Sequence, residues 1–151
     1  MTIEREDYYI NDYKVDGTLV FTNITTEPGV PTWTRTISNG MITTPEGDVY
    51  NHSGTRTVRQ TAGVGTFIML DNVYEVTQGT HTVTGPNDNT LTATIVTPLI
   101  KAYACPFISE GVLNLQGEWL DGDLDYGDGN CDAAATYTHD PTGQEFAVVL
   151  N

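Results

Sequence analysis

The acidic stretch from Asp121 to Asp132 holds the densest set of metal-ligating side chains in the sequence. It places five aspartates and one cysteine within twelve residues. Calcium takes about six to eight oxygen ligands, and alternating aspartates can supply several of them. The candidate ligands are Asp121, Asp123, Asp125, Asp128 and Asp132. We therefore expect either a calcium-binding loop or an acidic turn that joins two strands.

Comparison with an EF-hand loop favours the turn. Asp121, Asp123 and Asp125 occupy positions 1, 3 and 5 of such a loop, and Asp132 occupies position 12. Position 6 must be glycine, but here it is Tyr126, and no helical pattern flanks the stretch. The turn would place Gly127 and Gly129 at positive φ. Calcium stays as the alternative, and no other cofactor is predicted.

Catalytic constellations are not recognisable in the sequence. The three histidines are His52, His81 and His139, and none has a serine, cysteine or aspartate at a spacing typical of nucleophilic catalysis. Paired carboxylates of the kind that hydrolyse glycosides stay open, because the chain has 20 acidic residues whose separations in space the sequence does not give. We expect a protein that is not an enzyme.

Charge and hydropathy exclude several classes of partner. The chain has 151 residues and a formal net charge of −14, with only 6 lysines and arginines. This balance repels nucleic acid and anionic membrane surfaces. No apolar run approaches the roughly 20 residues of a membrane-spanning helix. The N-terminus lacks the features of a signal peptide, so an exported protein would be present here as a mature or excised piece.

Alternating threonines indicate half-buried β-strands. They flank apolar or basic residues in three runs, which cover 32–37, 80–84 and 91–95. No window carries the apolar stripe of a long helix. We therefore predict an all-β fold of antiparallel hairpins or a meander, forming a sandwich, a barrel or an elongated sheet, with essentially no helix. No break in composition divides the chain, which predicts one domain over 1–151.

Glycine-containing dipeptides and short polar segments predict the turns. The predicted turns are Asp16-Gly17, Asn39-Gly40, Glu46-Gly47, Ser53-Gly54, Gln78-Gly79, Gly85–Asp88 and Pro141–Gly143. The predicted strands are 7–15, 17–24, 31–38, 40–44, 54–60, 67–77, 79–85, 90–97, 110–119, 133–138 and 144–150.

Aromatic residues supply a candidate binding surface. Tyr8, Tyr9 and Tyr13 crowd the first strand, and Trp33 is one of only two tryptophans. Neighbouring residues of a strand point to opposite faces, so either Tyr8 or Tyr9 is expected to be exposed and could serve an interface or a glycan. Packing at the end of the sheet is the alternative.

The segment Asp125-Tyr-Gly-Asp-Gly-Asn-Cys-Asp132 resembles the C-terminal part of secreted proteins and lipoproteins of Bacteroidota, especially those of flavobacteria. Further similar segments are Asp12–Thr18, Asn39–Gly47, Thr97–Cys105 and the closing strand Gly143–Leu150. The resemblance therefore covers most of the chain. It departs at Ala133, where the family often has asparagine.

The resemblance implies a disulfide between Cys105 and Cys131, and a location outside the cytoplasm. The positions of both cysteines, each just before a predicted strand, are compatible with such a bond at a loop end. The family has no known activity, so the resemblance implies no mechanism.

The expected function is a non-catalytic structural or adhesive β domain that lies outside the cell or on its surface. It could self-assemble into a filament or surface layer through the edges of its sheet, because an unprotected edge can pair with another chain. A calcium- or carbohydrate-binding module is the alternative, with a glycan or another surface molecule as the partner.

Overall fold

The computed structural model, which describes residues 1–150, consists of one antiparallel sheet of ten strands. Each strand pairs with its neighbours in sequence, so the sheet is a simple meander with β1 and β10 at its two edges. The strands are β1 (Thr2–Ile10), β2 (Tyr13–Asn23), β3 (Thr32–Thr43), β4 (Val49–Ala62), β5 (Val73–Thr84), β6 (Thr90–Ala102), β7 (Glu110–Gly117), β8 (Asp121–Asp128), β9 (Ala134–His139) and β10 (Gln144–Val149). This confirms the all-β prediction and, among its alternatives, the elongated meander.

The alternating threonines place one polar face and one apolar face on the sheet. Residues directly opposite each other in an antiparallel pair share a face. Thr36 lies opposite Thr55, which lies opposite Thr80, which lies opposite Thr94. Their hydroxyls bond across the strands, with oxygen separations of 3.0 Å for Thr36–Thr55 and 3.5 Å for Thr80–Thr94. The residues between the threonines consequently point to the other face.

The strands are longer than predicted because several glycines lie inside them. Asp16-Gly17, Asn39-Gly40 and Gln78-Gly79 coincide with shifts of register in β2, β3 and β5. Ser53-Gly54 lies within the unbroken run of β4. The prediction of turns at these four sites is wrong. A glycine that relieves a steric conflict within a sheet has the same local sequence as one that forms a turn.

The other three predicted turns are confirmed. They lie at Glu46-Gly47, Gly85–Asp88 and Pro141–Gly143. The first hairpin turns at Asn11-Asp12, where both residues have positive φ. Residues 67–72, predicted as part of a strand, form a loop with a short 3-10 turn at Met69–Asp71.

The acidic stretch is mostly strand. β8 takes up Asp121–Asp128, so an acidic turn over the whole of 121–132 is wrong, and only 129–133 forms the connection to β9. Gly127 and Gly129 have φ values of 95° and 102°, as the turn prediction required. Period-two alternation of aspartates is compatible with a strand because alternate side chains leave one face together.

The interior of the protein is thin. Only six apolar residues of the described chain count as buried: Leu19, Val58, Leu99, Cys105, Ala135 and Tyr137. No large side chain among residues 1–150 is fully buried. One layer of sheet cannot enclose an interior by itself, because a sheet buries its apolar face against a second layer.

A disulfide between Cys105 and Cys131 strengthens this thin structure. Their Cα atoms are 5.7 Å apart, within the normal range for such a bond. It joins the β6–β7 loop to the β8–β9 loop and closes a span of 26 residues. By the chain-entropy relation, closure of that span stabilises the fold by about 3.5 kcal/mol. Within residues 1–150 no helix is long and apolar enough to cross a bilayer.

We predict that Gly54→Ala destabilises the protein by roughly 1–3 kcal/mol, because overpacking costs this much. A Cβ at Gly54 would lie 2.5 Å from the Thr80 carbonyl oxygen and 2.6 Å from Nδ1 of His81. Urea unfolding measures the change. The control is Gly85→Ala, whose Cβ would have no atom nearer than 3.6 Å and should shift stability by less than about 0.5 kcal/mol. Equal effects of the two substitutions would refute the steric explanation.

Candidate functional site

A cavity of about 770 Å³ lies on the apolar face of the sheet. Its wall comes from β2 to β7 and from Ile108 in the β6–β7 loop. Because strands of one sheet line a single cavity, the sheet must curve around it, and we call this hollow the concave basin. Its apolar wall includes Trp33, Val58, Val76, Ile95, Leu99 and Leu113. Its size falls within the range of about 300–1,000 Å³ that is typical of small-molecule sites.

Four basic side chains lie together on the same face. They are Arg35, His52, Arg56 and His81, and we call them the basic cluster. Arg35, Arg56 and His81 line the basin, and the rings of His52 and His81 have centroids 5.4 Å apart. Neither arginine takes part in a salt bridge with any acidic side chain of residues 1–150. In a chain of net charge −14, this concentration of unpaired positive charge is unexpected.

Glycines opposite three of these residues make room for them. The register pairs Gly40 with His52, Gly54 with His81, and Arg56 with Gly79. A Cβ on Gly40 would lie 2.6 Å from Nε2 of His52, and a Cβ on Gly79 would lie 2.8 Å from Cβ of Arg56. Each basic residue can therefore approach the neighbouring strand only because that strand carries glycine at the facing position.

The arginines themselves are an unfavourable pair. Arg35 and Arg56 lie directly opposite each other on β3 and β4, where like charges destabilise a sheet. Arg35 is half-buried, and its Nε is buried without a hydrogen-bond partner. Arg56 is the more exposed of the two, yet the protein atoms around its guanidinium still remove enough solvent to lower its pKa, with a further contribution from Arg35. An anion between the two guanidinium groups would satisfy both.

The two histidines experience the same positive potential. Burial lowers the pKa of His52, and the charge of Arg35 lowers it further. The pKa of His81 is also lowered, first by burial and then by His52, Arg35 and Arg56. None of these influences comes from a carboxylate of the described part of the chain.

The aspartates predicted as calcium ligands are not placed as a metal site, although Asp125, Asp128 and Asp132 line one small cavity of about 180 Å³. Among residues 1–150 no group of three or more potential ligands is placed to hold a metal ion. Asp121 and Asp123 accept hydrogen bonds from Gln116 and Asn114 on β7, both at 2.8 Å. The remaining three bond to neighbours in their own segment: Asp125 to Gly127 N, Asp128 to Asn130 Nδ2, and Asp132 to Ala134 N. All five carboxylates thus fix local backbone and side chains.

The aromatic residues predicted as an interface are divided between two places. Tyr8, Tyr9 and Tyr13 are exposed at the β1–β2 edge of the sheet, and the guanidinium of Arg5 lies 5.6 Å from the ring centre of Tyr8. Trp33 lies instead in the concave basin, edge-on to Tyr74 with ring centres 6.1 Å apart. Tyr8 and Tyr9 occupy consecutive positions of β1, so their side chains project from opposite faces of the sheet.

The basic cluster was missed in the sequence, although a signal exists. Arg35 stands between Thr34 and Thr36, Arg56 between Thr55 and Thr57, and His81 between Thr80 and Thr82. Threonines on one face force the central residue onto the other. A basic residue flanked by threonines in three strands therefore marks positive charge on the apolar face, provided that the register of the strands is known.

Comparison with known proteins gave no match among protein-family models, curated proteins or solved structures. Membership of the flavobacterial secreted family consequently stays a prediction from the residues quoted above.

We predict that the protein loses stability as the pH falls from about 7 to about 5. The ordinary pKa of histidine is about 6.5, and both His52 and His81 have folded-state pKa values below it. Their neutral forms are present in both states above that pH, so the full stability is retained there. Below it the unfolded chain binds protons that the folded chain does not, and stability falls.

Urea unfolding across this pH range measures the loss. The double variant His52→Gln, His81→Gln should show a smaller loss than the native chain, because neither glutamine titrates. An unchanged dependence on pH in the variant would show that other groups cause it.

Proposed function

We propose that this chain is a non-catalytic, extracellular adhesive β domain that binds a partner on its concave basin. The observation that carries the proposal is the accessible surface of 9,360 Å² for a chain of 16.5 kDa. A compact protein of that mass exposes about 7,600 Å². The excess of about 1,800 Å² is roughly twice the 800 Å² or so that one partner contributes to a standard interface. A single sheet whose apolar face no second layer covers has an excess of this kind.

The disulfide supports the extracellular location, because such bonds persist in oxidising compartments. The non-catalytic assignment is supported by the surroundings of the two closest histidines. His52 and His81 are perturbed by each other and by arginines, and no carboxylate orients either ring as it would in a catalytic triad. A charge-relay arrangement is therefore missing at the one place where two histidines meet.

We predict that the native protein binds the neutral apolar dye Nile red with enhanced fluorescence. Ala93 lines the basin, so Ala93→Trp should fill part of it and reduce dye binding severalfold. The matched control is Thr92→Trp, which adds the same side chain to the opposite face, where Thr92 bonds to Thr82. Dye binding that is absent in the native protein, or equally reduced in both variants, would contradict a binding role for the basin.

A second candidate function is self-assembly through the sheet edges, which the two free edges favour. Edge β1 is protected: it carries a bulge at Asp7, which pairs with Lys14, and charged residues that discourage pairing. Edge β10 has a single charged residue, Glu145, and exposes Phe146 and Val149. Assembly would accordingly use β10 rather than the strand that carries Tyr8 and Tyr9.

We predict that any self-association seen by light scattering at high protein concentration is abolished by Ala147→Lys, because lysine blocks an edge strand. Thr26→Lys, in the exposed β2–β3 loop, makes the same change of charge and should leave association unaltered. A strict monomer at all concentrations, with and without calcium, would remove assembly as a function. A carbohydrate partner would be detected in the dye assay, since it would contact Trp33 and Tyr74 and displace the dye.

A further inference from the structure

We propose that the concave basin binds an amphipathic organic acid, with its acidic group between Arg35 and Arg56 and its apolar body against Trp33, Val58 and Leu99. This inference rests on the proposed function, because it names the partner of the same site. It follows from the charge distribution of the chain, from the arrangement of the arginines and from the shape of the basin.

The first observation is the contrast between these two arginines and the other four cationic side chains. Lys14 pairs with Asp7 at 2.7 Å and with Asp16 at 3.2 Å, and Arg59 pairs with Glu75. Lys101 donates to the Cys105 carbonyl, and Arg5 lies over the Tyr8 ring. Among the six cationic side chains within residues 1–150, Arg35 and Arg56 alone have no such partner, although the chain has 20 acidic residues.

The second observation is the geometry of the arginine pair. Opposed residues on neighbouring strands have Cβ atoms about 4.5–5.5 Å apart, so the two arginine side chains project from the same small patch of the sheet. A guanidinium presents several N–H donors in a plane and matches a carboxylate with two parallel hydrogen bonds. An oxyanion between the two side chains would relieve their repulsion and provide an acceptor for the buried Nε of Arg35.

The third observation is the shape and chemistry of the surroundings. On one side of the arginine pair the next paired residues are Trp33 and Val58, followed by Val76 and Leu99. On the other side the row consists of Ile37, Gly54, His81 and Ala93, so an ionisable ring and a glycine interrupt its apolar residues. An elongated ligand with its acid at the arginines therefore finds an uninterrupted apolar row on the first side. The volume of about 770 Å³ accommodates a ligand of that kind.

A symmetric second copy fits this face poorly. A two-fold axis that passes through the arginine pair, at the centre of this face, would place one basic cluster against the other. Nucleic acid is repelled by the net charge of −14. An acid with one charged group and an apolar body satisfies both the cations and the apolar wall.

The histidines predict how binding depends on pH. An anion beside His81 favours the protonated ring, so binding should strengthen as the pH falls toward the pKa of that ring. As the pH falls, the affinity for the ligand should therefore rise while the stability of the ligand-free protein decreases. The two quantities can be measured separately.

The test measures displacement of Nile red from the full chain by dodecanoate and by 1-dodecanol, which share the apolar body and differ in the acid. We expect dodecanoate to bind at least about tenfold more tightly, as an ion pair with a desolvated arginine would allow. In Arg35→Met, Arg56→Met the dissociation constant of dodecanoate should rise about tenfold, while that of dodecanol should stay within about a factor of two.

The matched control is the double variant Arg5→Met, Arg59→Met. It also removes two positive charges, but from outside the basin, and should preserve the preference for the acid. Circular dichroism establishes that each variant is folded, and a single variant, Arg35→Met, replaces the double one if it is not. If the protein binds Nile red, and dodecanoate and dodecanol displace the dye with equal affinity, the acid ligand is overturned but the proposed function stands. Absence of dye binding overturns both. Displacement of the dye by increasing protein concentration identifies a second copy as the occupant and also overturns the acid ligand.

Discussion

Close contact between glycine backbone and basic side chains is the constraint on which the concave face depends. Gly40, Gly54 and Gly79 leave the space that His52, His81 and Arg56 occupy on the neighbouring strand. Any larger residue at these glycines would push the basic side chain away from the sheet or separate the strands. The same glycines reduce the amount of side chain that fills the face, and so they help to leave a cavity on it.

The rest of the sheet compensates for this open face by local means. Threonine hydroxyls join neighbouring strands on the polar side, and the aspartates of β8 bond to amide side chains of β7. The disulfide ties the β6–β7 loop to the β8–β9 loop beside the well-buried Cys105. None of these interactions needs a second layer of structure. They explain how a protein with few buried residues can hold ten strands in register while one face stays available to a partner.

The sequence supports prediction of the strand type and of the polar face, because alternating threonines determine both without knowledge of partners. It does not distinguish a glycine in a turn from a glycine within a strand. Ser53-Gly54 and Glu46-Gly47 have similar local chemistry, and only the second is a turn. The basic cluster was missed for the same reason: Arg35, Arg56 and His81 are far apart in the chain, and only the register between strands brings them together. The disulfide was predicted from the family resemblance, and the place of each cysteine just before a predicted strand agreed with it.

The meander order has a mechanical consequence. β1 and β10 lie at opposite edges of the sheet, so tension applied between these two strands loads the strand pairs one after another rather than all at once. Such a sheet would yield strand by strand and dissipate work over a long extension. The Cys105–Cys131 bond excludes residues 106–130 from that extension, which shortens the fully stretched chain by about 85 Å and retains β7 and β8 as a closed hairpin under load.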